Sequence, residues 1–261
     1  MRDFLRLALP ALLGALLACG RPARTVGDGG RPSPESAEKR VEQPPVPPGA
    51  PPGSVEGRIR WLGRRPVPSP LATNPSVQSV CGPSVTDNAF QIDGQGGVVD
   101  VVVWVDAPAV PLPLGGSGHE VVLDQRLCLY RPPVLAARAG DTLRLRNSDP
   151  LTHTVHAVSR GHTVFDVAMP LQHAELSRQL PAEPGVVDIR CDVHPWMRAV
   201  VRTFDHPHFT ASGADGRFRL VGLAPGEVDV HAWHPRLGEA SRRVRVDEGA
   251  TRAEFDFGGT P

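Results

Sequence analysis

From Val55 onward the apolar residues recur at every second position in short runs, and no convincing run shows the three-to-four spacing of an amphipathic helix. Val55-Glu56-Gly57-Arg58-Ile59-Arg60-Trp61 alternates in this way, as does Thr142-Leu143-Arg144-Leu145-Arg146. So do Asp188-Ile189-Arg190-Cys191, Arg217-Phe218-Arg219-Leu220-Val221 and Ala253-Glu254-Phe255-Asp256-Phe257. Successive side chains of a strand point to opposite faces, so each run reads as a strand buried on one side. Val98 to Val105 is nearly all apolar, which suits a strand covered on both faces. Gly, Pro, Asp and Asn cut the runs apart. Many short strands at regular spacing mean a sandwich or barrel, so the expected fold class is all-β.

The chain has 261 residues, enough for two small domains or one large one. Its formal net charge is zero and no basic stripe stands out, which argues against nucleic acid as a partner. Met1 to Arg6 is short and basic, and Leu7 to Ala18 is apolar but too short to span a bilayer comfortably. That pattern reads as a signal peptide over residues 1–19. It ends in Leu16-Leu17-Ala18-Cys19, which resembles the lipobox of bacterial lipoproteins. The resemblance implies that Cys19 is lipidated and becomes the mature N-terminus, anchoring the chain to a membrane through lipid. It places the protein in the cell envelope of a Gram-negative bacterium, facing the periplasm or the cell surface. Gly20, rather than Asp, follows the Cys, which is compatible with the outer membrane. The plainer alternative is an ordinary secretory signal with a chance Cys. In residues 20–54, nine of 35 residues are Pro and six are Gly, so this stretch reads as a disordered tether. At ~3 Å per residue it reaches roughly 100 Å when fully extended.

The chemistry is concentrated in Cys191-Asp192-Val193-His194-Pro195-Trp196-Met197, which offers a thiolate, an imidazole and a thioether within seven residues. A second imidazole is available from Asn147-Ser148-Asp149-Pro150-Leu151-Thr152-His153-Thr154-Val155-His156. Singly, Cys191 reads as a core thiol, Met197 as a core filler, and His153 and His194 as satisfied imidazoles. Together they make the donor set of a type 1 copper site: one thiolate, two imidazoles and a weak axial thioether.

The two segments are similar to the cupredoxins, and the short Cys-x-x-His-x-x-Met loop looks most like that of the amicyanin family. Pro195 and Trp196 match its Pro after the second His and its aromatic before the Met. His153-Thr154-Val155-His156 matches its His-x-Val-His, of which the first His binds copper. The resemblance therefore implies one copper ion held by His153, Cys191, His194 and Met197, with His156 outside the set. It implies a Greek-key cupredoxin barrel or sandwich over residues 119–205 and single-electron transfer. Electrons would enter through an exposed edge of His194, with Pro195, Trp196 and Leu151 as an apolar docking patch for an unknown redox protein. The family carries Asn after the first His, bracing the ligand loops; here Thr154 stands there, which puts the tuning of the potential in doubt.

The flanks differ. Ser54 to Gly63, Thr210 to Leu220 and Leu223-Ala224-Pro225-Gly226-Glu227-Val228 resemble strands and turns of a transthyretin-like, carboxypeptidase-regulatory module. Residues 55–118 are expected to pair with residues 206–261 in a small transthyretin-like β-sandwich. With Cys19 assigned to lipid and Cys191 to metal, Cys81 and Cys128 remain as an even pair in an oxidising compartment. A disulfide between them is expected; two buried thiols are the alternative. His206, His208, His231 and His234 form His-x-His and His-x-x-His patterns that leave a second metal site open. His119, His162 and His173 read as surface residues. The chain lacks the His-Cys-His segment and repeated His pairs of multicopper oxidases, and it offers no recognisable second centre for nitrite reduction within one chain, leaving only one formed between subunits. The reading is an electron carrier and not an enzyme. The alternatives are a non-redox copper-binding or storage protein, for which three Met are few, and a surface-tethered binding module.

Overall fold

The computed structural model describes residues 53–106 and 121–258. The signal segment, Cys19, the tether up to residue 52 and His119 lie outside the described residues. Within them the chain is nearly all β, with one 3-10 turn at Pro75–Val77 and one short helix at Gln78–Cys81.

The first strand, Gly53–Trp61, starts inside the stretch expected to be tether. Close packing explains this. A Cβ on Gly53 would lie 2.5 Å from the Asp247 carbonyl oxygen, so glycine here serves a close approach of two chains. This strand pairs antiparallel with Arg217–Leu223 and parallel with Ala250–Arg252 and Phe255–Phe257. A second sheet orders Phe209–Ala211, Val102–Val105, Gly226–His234 and Gly238–Val246 side by side. Val55, Ile59, Val103, Val105, Phe218, Leu220, Val230 and Phe255 fill the space between the two sheets. The N-terminal and C-terminal flanks thus close one sandwich between them.

The other sandwich is built from the chain between those flanks. One sheet runs His162–Met169, His153–Ser159, Gly185–Arg190, Arg198–Phe204, Val134–Arg138. The other runs Glu175–Gln179, Thr142–Asn147, Val121–Arg126, Leu129–Arg131. Alternation carries straight into burial: in Thr142–Asn147 the buried residues are Leu143, Leu145 and Asn147. Leu143 and Leu145 join Leu123, Tyr130, Val155, Ile189 and Val201 in the second core.

Val102–Val105 is buried along its whole length, as its unbroken apolar run requires. Val103 and Val105 face the first core, and Val102 and Trp104 pack on Val134 and Phe204 of the neighbouring sandwich. The Arg202 guanidinium lies 4.1 Å above the Trp104 ring, a cation–π contact at this junction.

One stretch joins neither pair of sheets. Pro70–Ala72 and Ser84–Thr86 pair only with each other, with the 3-10 turn and the short helix between them. Leu71 and Val85, opposite one another in this ribbon, pack with Cys128, Leu129, Leu151 and Trp196. Residues 70–86 therefore lie on the sandwich that holds Cys191, rather than serving only the flanking module.

Candidate metal centre

Sheet register assembles the site. Arg190, the last residue of Gly185–Arg190, pairs with His156 on one side and Arg198 on the other. Cys191 therefore leaves the strand beside Thr154, next to His153 at the start of its own strand. The chain then closes a tight loop, with the Met197 N–H donating to the His194 carbonyl (2.9 Å) and the Cys191 N–H to the Met197 carbonyl (3.3 Å). His153, Cys191, His194 and Met197 are all buried. The two imidazoles meet Nδ1 to Nδ1 at 2.9 Å, and the Cys191 sulfur is 3.6 Å from His194 Nδ1. The ligand atoms of His153, Cys191 and His194 lie within 4.8 Å of one another, and these side chains can hold a metal ion. The donor chemistry fits copper, since one thiolate and two imidazole nitrogens converge on one dry point. Met197 sits in the same core cluster as Cys191.

Asp149, which the sequence did not single out, organises the surroundings. Its Oδ2 lies 3.1 Å from His153 Nε2. An Nε2–H donated to this carboxylate leaves the Nδ1 lone pair turned toward the other ligands, the outer-shell arrangement that fixes a ligand tautomer. The same carboxylate accepts the backbone N–H groups of Leu127 and Cys128, each at 2.8 Å. Those two residues form the two-residue turn between Val121–Arg126 and Leu129–Arg131, with φ of 56° and 57°. Such a turn favours Asn or Gly, so Leu and Cys are strained there, at roughly 1–3 kcal/mol each. Burial pushes the Asp149 carboxyl up, but the hydrogen bonds from His153, Cys128 and Leu127 outweigh it and hold the group below its ordinary value. Burial opposes charging of His153, and its bonds to Asp149 and Cys191 reverse that and raise its basicity. Asn147, fully buried, ties the adjacent loops together by donating to the carbonyls of Leu151, Met169 and Leu171.

Thr154 does the bracing expected of Asn. Its N–H and hydroxyl approach the Cys191 sulfur at 3.3 and 3.7 Å, and the hydroxyl oxygen accepts the Asp192 N–H at 2.8 Å. The buried Tyr130 hydroxyl donates to the Thr154 carbonyl at 2.5 Å, so this peptide is held from both sides. At Cys191, burial disfavours the thiolate, but hydrogen bonds from His153, His194 and Thr154 overcome it and bring the thiol down to about 5.

The expected exposed edge of His194 is absent. The ring is 1% exposed and its Nε2 is buried with no hydrogen-bond partner. Of the expected docking patch only Pro195 is exposed. Trp196 and Leu151 are half-buried against Leu71, Val85 and the Cys81–Cys128 disulfide, and the Trp196 indole donates to the Cys128 carbonyl at 2.9 Å. Leu71, Cys81 and Val85 thus pack on Leu151 and Trp196, a contact made by chain more than sixty residues away in sequence.

His156 faces Asp192 at 2.8 Å and the Thr163 hydroxyl at 2.9 Å, and with Asp166 and Asp192 it forms a second group of donors. Both ring nitrogens are engaged and the Arg190 guanidinium stands 3.1 Å away, which opposes a cation. Among the described residues, His206, His208, His231 and His234 do not come together as a metal-binding group. His208 and His234 are buried, His231 stacks on Trp104, and His162 and His173 are exposed.

No family model matches this chain, and no curated protein matches it. Solved structures do. A purple cupredoxin from Nitrosopumilus maritimus is similar at 21% identity over 32% of this chain and 99% of its own, with a TM-score of 0.28. A single-residue mutant of amicyanin, in the Cu(I) form, is 26% identical over 33% of this chain and 82% of its own, with a TM-score of 0.30. A Cu-containing nitrite reductase from Thermus scotoductus SA-01 is 18% identical over 38% of this chain and 26% of its own, also at 0.30. None of these scores reaches 0.5, and the site is read from its own geometry.

Two outcomes follow from the hydrogen bonds. Asp149→Ala frees His153 Nε2 and two turn N–H groups, so metal affinity measured by chelator competition falls about 10- to 100-fold; an unchanged affinity contradicts the role given to Asp149. Because the folded value at Cys191 lies below the unfolded 9.0, the thiolate's contribution to stability is whole above that pH and is lost as pH falls through about 5. Thiolate absorbance of the metal-free protein should therefore titrate near 5, while a midpoint near the unfolded value would contradict the hydrogen bonding described.

Proposed function

We propose that this protein binds one copper ion in a type 1 site and carries single electrons for a redox partner, as a lipid-tethered protein of the bacterial envelope. The observation that carries the copper reading is the convergence of one ring nitrogen each of His153 and His194 and the Cys191 sulfur within 4.8 Å in a buried cluster. Bound there, copper supplies a one-electron couple, since thiolate suits Cu(I) and imidazole suits Cu(II). The protein's part is to hold the donors still. Asp149 fixes the His153 ring, Thr154 directs an N–H at the sulfur, and the loop hydrogen bonds from Cys191 and Met197 lock the spacing of the other two. Donors held in this way move little between oxidation states. The Cys191 thiol, brought down to about 5, is ready as a thiolate at neutral pH. Met197, buried on the same loop, would offer its thioether to the ion. A carrier is favoured over an enzyme because His153, Cys191, His194 and Met197 are all buried, which suits passing an electron better than admitting a substrate. Lipidation of Cys19 and the envelope location rest on the N-terminal sequence alone.

Voltammetry of the copper-loaded protein tests the reading. A reversible one-electron wave, lost in Cys191→Ser, is the expected result. Stoichiometric copper binding without such a wave would overturn electron transfer and leave a storage role.

A further inference from the structure

Residues 70–86 belong to no sheet of either sandwich, yet they lie over one end of the metal-site sandwich. Three fastenings hold them there. Cys81 is joined to Cys128, on the turn carried by Asp149. Leu71 and Val85 pack in one cluster with Cys128, Leu151 and Trp196. The Asn74 side chain donates to the Val193 carbonyl at 3.3 Å, on the residue before His194. Trp196, packed in that cluster, has its ring centre 5.0 Å from that of His194, whose Nε2 is buried without a partner. Val193 and Pro195, on either side of His194, are exposed, so a loop that reaches solvent is closed at its central residue.

We infer that residues 70–86 are a strap that shuts the His194 edge of the metal centre, with the Cys81–Cys128 disulfide as its latch. The ribbon pairs only three residues with three, so the latch, the small apolar cluster and the Asn74 hydrogen bond carry its attachment to this sandwich. Opening the latch needs a dithiol reductant. Its thiolate attacks one sulfur, the S–S bond breaks, and Cys81 and Cys128 leave as thiols with two electrons and two protons gained, while the reductant becomes a disulfide. With the strap free, the His194 edge and the indole of Trp196 face solvent, and the covered patch becomes a surface for exchange. Metal chemistry at that edge rests on the function proposed above, but the strap itself is testable without metal.

Diethyl pyrocarbonate acylates accessible neutral imidazoles, and mass spectrometry of each His-containing peptide gives the rate. In the metal-free full-length protein, His194 should react about tenfold or more slowly than exposed His162. In Cys81→Ser/Cys128→Ser, His194 should approach the rate of His162 while His153, held by Asp149, stays slow. A native His194 as reactive as His162 would show that the edge is open and overturn the inference. So would a double variant in which His194 and His153 both stay slow. If His153 also becomes fast, the barrel itself has loosened, and Leu71→Asp with the disulfide intact decides: a faster His194 beside a slow His153 supports the strap, and an unchanged His194 overturns it. Since no copper is present, this result is independent of whether the site binds copper.

Discussion

The carboxylate of Asp149 holds together three things that would otherwise come apart. It takes two N–H groups of a turn in which Leu127 and Cys128 adopt positive φ, and it faces the far nitrogen of His153. A turn of that shape made from Leu and Cys is unfavourable alone and persists where its surroundings over-determine it. The same turn carries the disulfide to residue 81 and accepts the Trp196 indole. The orientation of His153, the turn geometry and the anchorage of the disulfide and of Trp196 therefore meet at one buried acid.

The two sandwiches divide the labour. The flanking one is closed by strands from both ends of the described chain, and its sheet strand Val102–Val105 supplies Val102 and Trp104 to the junction. The other holds the donor cluster at the ends of its strands, where a loop can bring Cys191, His194 and Met197 together without breaking the sheet. Rigid strands with donors at their ends suit a site whose geometry must not change.

What was legible in the sequence came from short-range pattern. Period-two alternation marks Thr142–Asn147 and Arg217–Leu223 as half-buried strands, and the spacing from Cys191 to Met197 places three donors on one loop. Counting cysteines led to the expectation of a Cys81–Cys128 bridge, with two buried thiols as the alternative, and the structure joins the pair. The rest depends on tertiary contacts that leave no local mark. Asp149 looks like an ordinary turn residue before Pro150, and only the fold brings it to Leu127 and Cys128. Gly53 reads as tether because its Pro-rich neighbours do, while the reason for glycine there is the nearby Asp247 carbonyl. The exposed edge given to His194 assumed an isolated barrel, whereas Leu71 and Val85 pack with Trp196 and Leu151 and Asn74 reaches the Val193 carbonyl beside it.

The central claim is that a deprotonated Cys191 binds copper beside His153 and His194. The visible absorption spectrum of the protein with Cu(II), recorded beside Cys191→Ser, tests it most directly. An intense sulfur-to-copper charge-transfer band in the native protein and none in the variant is the predicted result. A correctly folded native protein that binds Cu(II) without that band, or shows the same spectrum as Cys191→Ser, would contradict the account.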